Sequence, residues 1–478
     1  MEPGKAQEGL RRVIGFWDAA ALVVGLIIGS GIFRAPASVA QYLPTAGLML
    51  SAWIIGGMLS LAGCLAAVEL GIRYPRSGGQ YIFLREAFGP SVAFAFGWTS
   101  VLISKPSVLA GIATVFGIYF SGLVGLPSGS HKPLAFGALA LLTFVNCLGV
   151  KSGTRTQNVL TAAKAAGLGL LGMAAFGSCR GSWSHFFETP GPFLPPLARV
   201  SPAAGPHAAQ IAHGLPIALA LGLVTILYTY DGWIDVTYVG GEVVQPRRVL
   251  PRAILMGTST CVGLYLLVNC AYIYLLSPSE MPRHENIAAV ALRRAFGPAG
   301  DAALSLLVVT STLGILNGSI LTGVRVPYAM SRDGMLFRFL GRVHPRTLSP
   351  VNALIAQGGL SCLVVLFASG FDEIASLFVS TSWLFYAVSL LGLLVLQRRE
   401  AAARDRGDAL SPADQGERSP RIPFSSTAAI LFILVTVFII GADLVFSGWR
   451  VLAGIGIVAA GIPVYLMWSR FRAEAITE

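Results

Sequence analysis

The chain has 478 residues, of which 54% are hydrophobic and only 12% charged, with a mean hydropathy of +0.70. A soluble protein of this length cannot hide so much apolar surface behind so few charges, so a water-soluble fold is excluded. The formal net charge of +11 would suit a nucleic-acid partner, but the basic residues are spread between apolar segments instead of forming one patch, and no nucleic acid is expected.

Apolar runs of about 20 residues, the length a hydrocarbon core requires, recur along the chain. They span residues 16–43, 46–72, 91–122, 134–150, 157–178, 211–242, 251–277, 301–330, 351–369, 371–397, 424–447 and 449–469. Each is expected to be a helix, because lipid offers the backbone no partner outside its own segment. Before the first run come Lys5, Arg11 and Arg12, and Ala35-Pro36-Ala37 looks like a signal cleavage site. Retention is expected nonetheless, since eleven runs follow and Gly29-Ser30-Gly31 is foreign to a signal's apolar region.

Between the runs, Tyr74 to Phe88 is too short and polar to span and is expected to hold a short interfacial helix. Residues 179–210, rich in Pro and Gly, read as an outer loop, and 398–423, rich in Arg, Asp and Ala, as a cytoplasmic linker. With a cytoplasmic N-terminus, Arg73, Arg76, Arg85, Lys151, Arg155, Arg247, Arg248, Arg252, Arg332, Arg338, Arg342 and Arg346 share its side, as do the linker and C-terminal arginines. Only Lys132, Arg180, Arg199, Arg283, Arg293, Arg294 and Arg450 fall opposite. This positive-inside bias places both termini in the cytoplasm of a multi-pass protein of the cell membrane. Five of the six cysteines lie in apolar runs and read as small buried hydrophobes. The six histidines form no metal-spaced pair within a run, and His207 and His213 sit in a loop before the sixth. With no nucleophile motif, no enzyme, metal or cofactor is expected, and the runs offer too few polar faces for a channel.

Two runs are weakened at their middle. The first contains Gly29-Ser30-Gly31, and the sixth contains Asp231-Gly232-Trp233. The two are five runs apart, an odd offset, so the interruptions belong to units of opposite orientation. Paired broken helices in inverted halves point to the central site of a secondary transporter. An unwound helix exposes amides on one side and carbonyls on the other. The half-helix beginning near Ile32 presents amides and a positive dipole end to a carboxylate, with Ser30 adding a hydroxyl. The half-helices ending near Ile27, Ile28 and Tyr228 present carbonyls to an ammonium. A ligand carrying both groups is an α-amino acid, and Gly31 and Gly232 would let it approach bare backbone.

The motifs GSGIF at 29–33, ELGIRYPRSGGQYIFL at 69–84, YDGW at 230–233, GEVVQPRR at 241–248 and LNGSILTGVRVPYAMSRDG at 316–334 together resemble amino-acid permeases of the amino acid–polyamine–organocation superfamily, in particular its L-type amino acid transporter branch. The resemblance covers residues 14–400. It implies an all-α integral membrane fold of twelve transmembrane helices, with a 5+5 inverted-repeat core, broken helices 1 and 6, and accessory helices 11 and 12. The expected units are a tail 1–13, repeats 14–200 and 201–397, the linker 398–423, accessory helices 424–469 and a tail 470–478. The resemblance puts Ile27, Ser30 and Gly31 at the ligand carboxylate and the Tyr228 carbonyl at its amine, with the Tyr228 ring as an aromatic gate where Phe is usual.

Lys164 lies about 12 Å into its run, where a charge is costly unless paired or hydrated. It either snorkels or donates to backbone carbonyls of spans 1 and 8. The resemblance supports a lysine standing where sodium-coupled relatives hold Na⁺, and hence sodium-independent transport. Asp231 abuts the amine site and either binds there, carries a proton or bonds a neighbouring helix; Asp235 reads as structural. Lys105 faces the interior or water, and Arg325 snorkels or faces the interior. Asn317 and Ser319 line the site or join helices, and Glu69, Glu242, Arg332 and Asp333 supply an inner gate whose pairs the sequence does not choose. Gln80 replaces a usual Glu, and loop 123–133 lacks the cysteine that attaches a glycoprotein heavy chain in animal L-type subunits. The expected activity is exchange of neutral amino acids by alternating access. The alternatives are a proton-coupled amino-acid permease, a polyamine or amine carrier, and a nutrient sensor with a transporter fold.

Overall fold

The computed structural model describes residues 10–188, 214–284, 286–367, 371–406, 421–447 and 449–477. Most of the expected outer loop, with His207 and His213, and the middle of the expected linker lie outside the described residues. Among the described residues the chain is helical apart from one isolated bridge between Ile14 and Val243. In chain order come α1 (Phe16–Ile27), α2 (Ala35–Tyr42), α3 (Ala46–Arg73), α4 (Gln80–Phe88), α5 (Pro90–Thr99), α6 (Lys105–Val124), α7 (His131–Cys147) and α8 (Val150–Gly177). Then follow α9 (Gly214–Thr229), α10 (Pro246–Leu275), α11 (Ile287–Phe296), α12 (Pro298–Gly323), α13 (Arg325–Arg332), α14 (Val351–Phe367) and α15 (Phe371–Asp405). Last come α16 (Ser425–Ser447) and α17 (Trp449–Thr477).

Every predicted run coincides with one helix or with a broken pair, and α4 is the expected short helix. Ala46–Arg73, Pro90–Val124, Val150–Gly177, Pro246–Leu275 and Pro298–Arg332 are long and apolar enough to cross a membrane on their own. The packing is that of a protein in lipid. Large apolar side chains such as Phe144, Val159, Leu170, Leu306 and Ile355 face outward, while Gln157, Lys164, Asn269, Asn317 and Arg325 are buried.

Four runs are broken, two more than expected, and proline explains the extra two. Pro106 has no N–H for the Leu102 carbonyl, and the chain widens into a π-helical turn at Ser100–Ser104 between α5 and α6. Pro327 has none for the Gly323 carbonyl, and α12 gives way to α13 there. One helix was not anticipated at all: α11 has Ile287, Ala288, Ala291, Leu292 and Ala295 buried on one face and Arg293 and Arg294 at its end. It is too short to have registered as an apolar run.

The last two helices lean on the outside of this core, α16 against α3 and α15, and α17 against α5 and α15. Glu69, fully buried on α3, joins them. Its Oε1 accepts from Arg73 Nε at 3.0 Å and from Gln397 Nε2 at 2.8 Å. Its Oε2 accepts from the Ile422 amide at 3.0 Å and from the Ser425 hydroxyl at the start of α16. Arg73 also pairs with Glu400 of α15. Glu69 thus anchors an accessory helix instead of supplying a gate. Glu69→Ala leaves the buried Arg73 short of a partner and is expected to cost on the order of 3 kcal/mol, read as a lower midpoint of thermal unfolding in detergent. Glu69→Gln keeps the acceptor geometry and should lower it less.

Candidate functional site

Helix α1 ends at Ile27 because Ile28 turns extended, with φ −69° and ψ 98°. The chain resumes as a 3₁₀ turn at Gly31–Phe33 and then α2. Across the gap, the amides of Ser30, Gly31 and Ile32 donate to no main-chain carbonyl among the described residues. Helix α9 ends at Thr229. The Tyr230 amide reaches Ile226 O at 3.0 Å, the Asp231 amide reaches Tyr228 O at 3.3 Å, and Gly232 takes φ +113° before a 3₁₀ segment at Asp235–Glu242. The Tyr228 carbonyl therefore also closes this turn.

The two breaks touch. A Cβ on Gly232 would lie 2.9 Å from the carbonyl carbon and oxygen of Leu26, and one on Gly31 would lie 3.0 Å from Thr229 Cγ2. Three neighbouring helices satisfy the carbonyls that α1 leaves open. Along α8, Asn158 donates to Asp18 at 2.7 Å, Thr161 to Ala21 O at 3.0 Å, and Lys164 to Gly25 O and, at 2.8 Å, to Ile28 O. These positions fall on one helix face, three residues apart. Lys164 is fully buried and does not snorkel. Helix α12 gives it no carbonyl, contrary to expectation. Instead Ser311 donates to the same Ile28 O at 3.0 Å, and the bare Gly314 leaves room, a Cβ there falling 3.1 Å from Lys164 Nζ.

Tyr265 of α10 links the breaks directly. Its hydroxyl lies 2.8 Å from Ile27 O and 3.3 Å from Thr229 O, and its ring packs edge-on to Trp53 and against Tyr230. Nothing in the sequence marked it, since a lone tyrosine in an apolar run looks like any other core aromatic.

A cavity of about 140 Å³ opens where the breaks meet. Of the candidate residues, Ile27, Ser30, Gly31, Tyr228, Asp231, Gly232 and Ser319 line it. Ile32 does not: its side chain is buried in the core, and only its amide belongs to the break. Asn317 does not either. It donates to Gly153 O at 3.0 Å and Gln157 Oε1 at 2.9 Å and accepts from Asn146 at 3.0 Å, joining α7, α8 and α12. Asp231 accepts from the Gly232 amide at 2.8 Å and from the Tyr386 hydroxyl at 2.7 Å, so it bonds a neighbouring helix while facing the cavity. Lys105, Asp235 and Tyr386 also line it, and the rest of the wall, Ser107, Val108, Gly111 and Ile112 of α6 with Thr312 and Ile315 of α12, is uncharged and had no chemical signature in the sequence.

Toward the N-terminal side the cavity is shut. Lys105 Nζ lies 2.7 Å from Asp235 and 5.0 Å from the centre of the Tyr238 ring. Below, Arg325 holds Glu242 through two bonds of 2.8 and 2.7 Å, with both side chains buried. Arg325 therefore does not snorkel, and Glu242 takes it, not Arg332, as partner. The Val13 and Ile14 amides donate to Glu242 O at 2.8 and 2.9 Å, strapping the N-terminal segment across the pair. Asp333 accepts from Arg85 and from the Tyr81 hydroxyl. Gln80 accepts from the Tyr238 hydroxyl at 2.6 Å and donates to Ser389 at 3.0 Å. On the other side the cavity climbs along α6 to Val115 and along α9 to Tyr228, which is 37% exposed, and it opens there.

Gly232→Ala would push a methyl into the Leu26 backbone and is expected to abolish ligand-induced thermal stabilisation. Tyr265→Phe leaves two carbonyls without their shared donor. It should weaken ligand binding about tenfold, on the order of 1.4 kcal/mol, read by calorimetry against a neutral α-amino acid.

The sequence matches the family described as "Amino acid permease" over residues 14–462. It is 29% identical to the serine/threonine exchanger SteT of Bacillus subtilis, with 98% of this chain and 99% of that protein covered. It is 30% identical to the mouse b(0,+)-type amino acid transporter 1, covering 97% and 89%, and 31% identical to the mouse large neutral amino acids transporter small subunit 2, covering 96% and 81%. Its apolar helices and broken pairs agree with that match. The chain is a membrane-embedded, multi-pass member of the amino acid permease family, within the amino acid–polyamine–organocation superfamily.

Proposed function

We propose that the chain exchanges neutral amino acids across the cell membrane by alternating access, without sodium. The observation that carries this reading is the meeting of the two helix breaks at one cavity. The free amides of Ser30, Gly31 and Ile32 suit a carboxylate, and the carbonyls of Ile27 and Tyr228, with Asp231 beside them, suit an ammonium. A polyamine would leave those amides unanswered. The charges of Lys105 and Asp235 at the wall answer each other and the other α6 and α12 positions there are uncharged, which favours a neutral side chain, and the named activity of the SteT relative makes exchange the mode to test.

Sodium independence rests on Lys164. Its ammonium already neutralises the carbonyls of Gly25 and Ile28, a cluster that would otherwise suit a small cation. Twelve crossings with both termini cytoplasmic follow from the positive-inside bias. In that orientation the Lys105–Asp235 and Arg325–Glu242 pairs lie toward the inner side, and residues 14–200 and 201–397 are the two inverted repeats of the proposal. No covalent heavy chain is needed, since loop 123–133 carries no cysteine.

The test is uptake of radiolabelled neutral amino acids into proteoliposomes. Uptake should require amino acid inside, be unchanged when choline replaces Na⁺, and resist competition by amines lacking a carboxylate. Stimulation by a sodium gradient would overturn the reading. Lys164→Ala removes the donor from two buried carbonyls and is expected to slow exchange at least tenfold; unchanged kinetics would remove this role.

A further inference from the structure

A second recess, of about 590 Å³, lies far from the cavity, on the side of the protein that carries the N-terminal segment. Its wall is built by the end of α13 and the 3₁₀ turn at Arg338–Gly341, and three arginines face it: Arg332, Arg338 and Arg342. All three are exposed, and none pairs with a carboxylate among the described residues. The nearest acid in sequence, Asp333, is engaged by Arg85 and Tyr81. Three like charges around one hollow repel one another and are relieved by an anion. Guanidinium groups hold phosphate oxygens through paired N–H bonds.

Beside the arginines lies an apolar ledge. Phe337 and Phe339 are stacked 6.0 Å apart and are 55% and 49% exposed. Trp468 of α17 packs edge-on to Phe337 at 5.4 Å, and its indole N–H donates to Gly334 O at 3.1 Å, tying the ledge to the recess. Exposed aromatic rings next to arginines mark the depth where headgroups meet acyl chains. A free anion would use the arginines and leave the rings wet, whereas a phospholipid uses both. We propose that this recess binds the phosphate headgroup of an anionic phospholipid from the leaflet on the N-terminal side, with the start of its acyl chains on Phe337 and Phe339.

The purified full-length protein in neutral detergent is titrated with phosphatidylcholine, with a 3:1 mixture of phosphatidylcholine and phosphatidylglycerol, or with inorganic phosphate. Thermal unfolding is followed, and lipid retained by the intact protein is counted by mass spectrometry. The mixture should raise the midpoint and phosphatidylcholine should not. At about fivefold per arginine, the double variant Arg338→Gln, Arg342→Gln should need roughly 25-fold more phosphatidylglycerol for the same shift and retain less lipid. The corresponding lysine variant should keep part of the response. A control pair at the end of α15, Arg398→Gln with Arg399→Gln, should behave as wild type. Equal loss in the control would show diffuse attraction only, and an equal shift from millimolar phosphate would show a soluble anion. Either result, or equal shifts from the two lipid preparations, overturns the proposal.

Discussion

The rest of the site depends on the unmet main chain between Ile28 and Ile32. In apolar surroundings every open amide or carbonyl is costly, so a helix broken at mid-depth survives only if something answers its ends. The carbonyl end is answered from within. Lys164, Ser311 and Tyr265, from three different helices, converge on the carbonyls of Gly25, Ile27 and Ile28. The amide end is not answered by the main chain and faces the cavity. The break is thus a helix N-terminus without a main-chain cap, which is what makes the proposed ligand carboxylate a fitting partner for it.

That asymmetry also sets what can move. Helix α8 grips α1 at four successive heights, from Asp18 to Ile28, so α1 shifts only with α8 or by letting go of it. Tyr265 couples the ends of α1 and α9 to a third helix. The closure below the cavity is of another kind. Lys105–Asp235, at the cavity wall, and Arg325–Glu242, buried beyond it, are ion pairs. Buried pairs lose in desolvation much of what they gain in attraction. A contact of that sort holds a path shut while closed, yet gives little away once water enters and solvates both partners, as the proposed alternating access would require.

The outer helices show a complementary economy. A single carboxylate, Glu69, ties the start of α16 to α3 and to Gln397 of α15, so the accessory pair is attached to the core through polar bonds at one end and through apolar packing along its length. The proline breaks at Pro106 and Pro327 bring Lys105 and Arg325 to the ends of helical segments, from which their side chains reach Asp235 and Glu242.

The sequence by itself determined the class of the fold and the positions of its two central breaks. Those rest on local physics: twenty apolar residues must span, and Gly-Ser-Gly or Asp-Gly-Trp within such a run has no use in lipid unless the helix opens. Tertiary structure alone decided which polar residues face the cavity. Asn317 and Ser319 are two residues apart and equally polar, yet one joins helices and the other lines the wall, because a rotation of about 200° separates their directions on a helix. Ile32 contributes an amide but turns its side chain to the core. Tyr265, the Glu242 partner of Arg325 and the Gln397 partner of Glu69 could not be read at all, since each is defined by a contact across some thirty to three hundred residues of chain. Spacing along a sequence carries the period of a helix, but not the identity of the neighbour that packs against it.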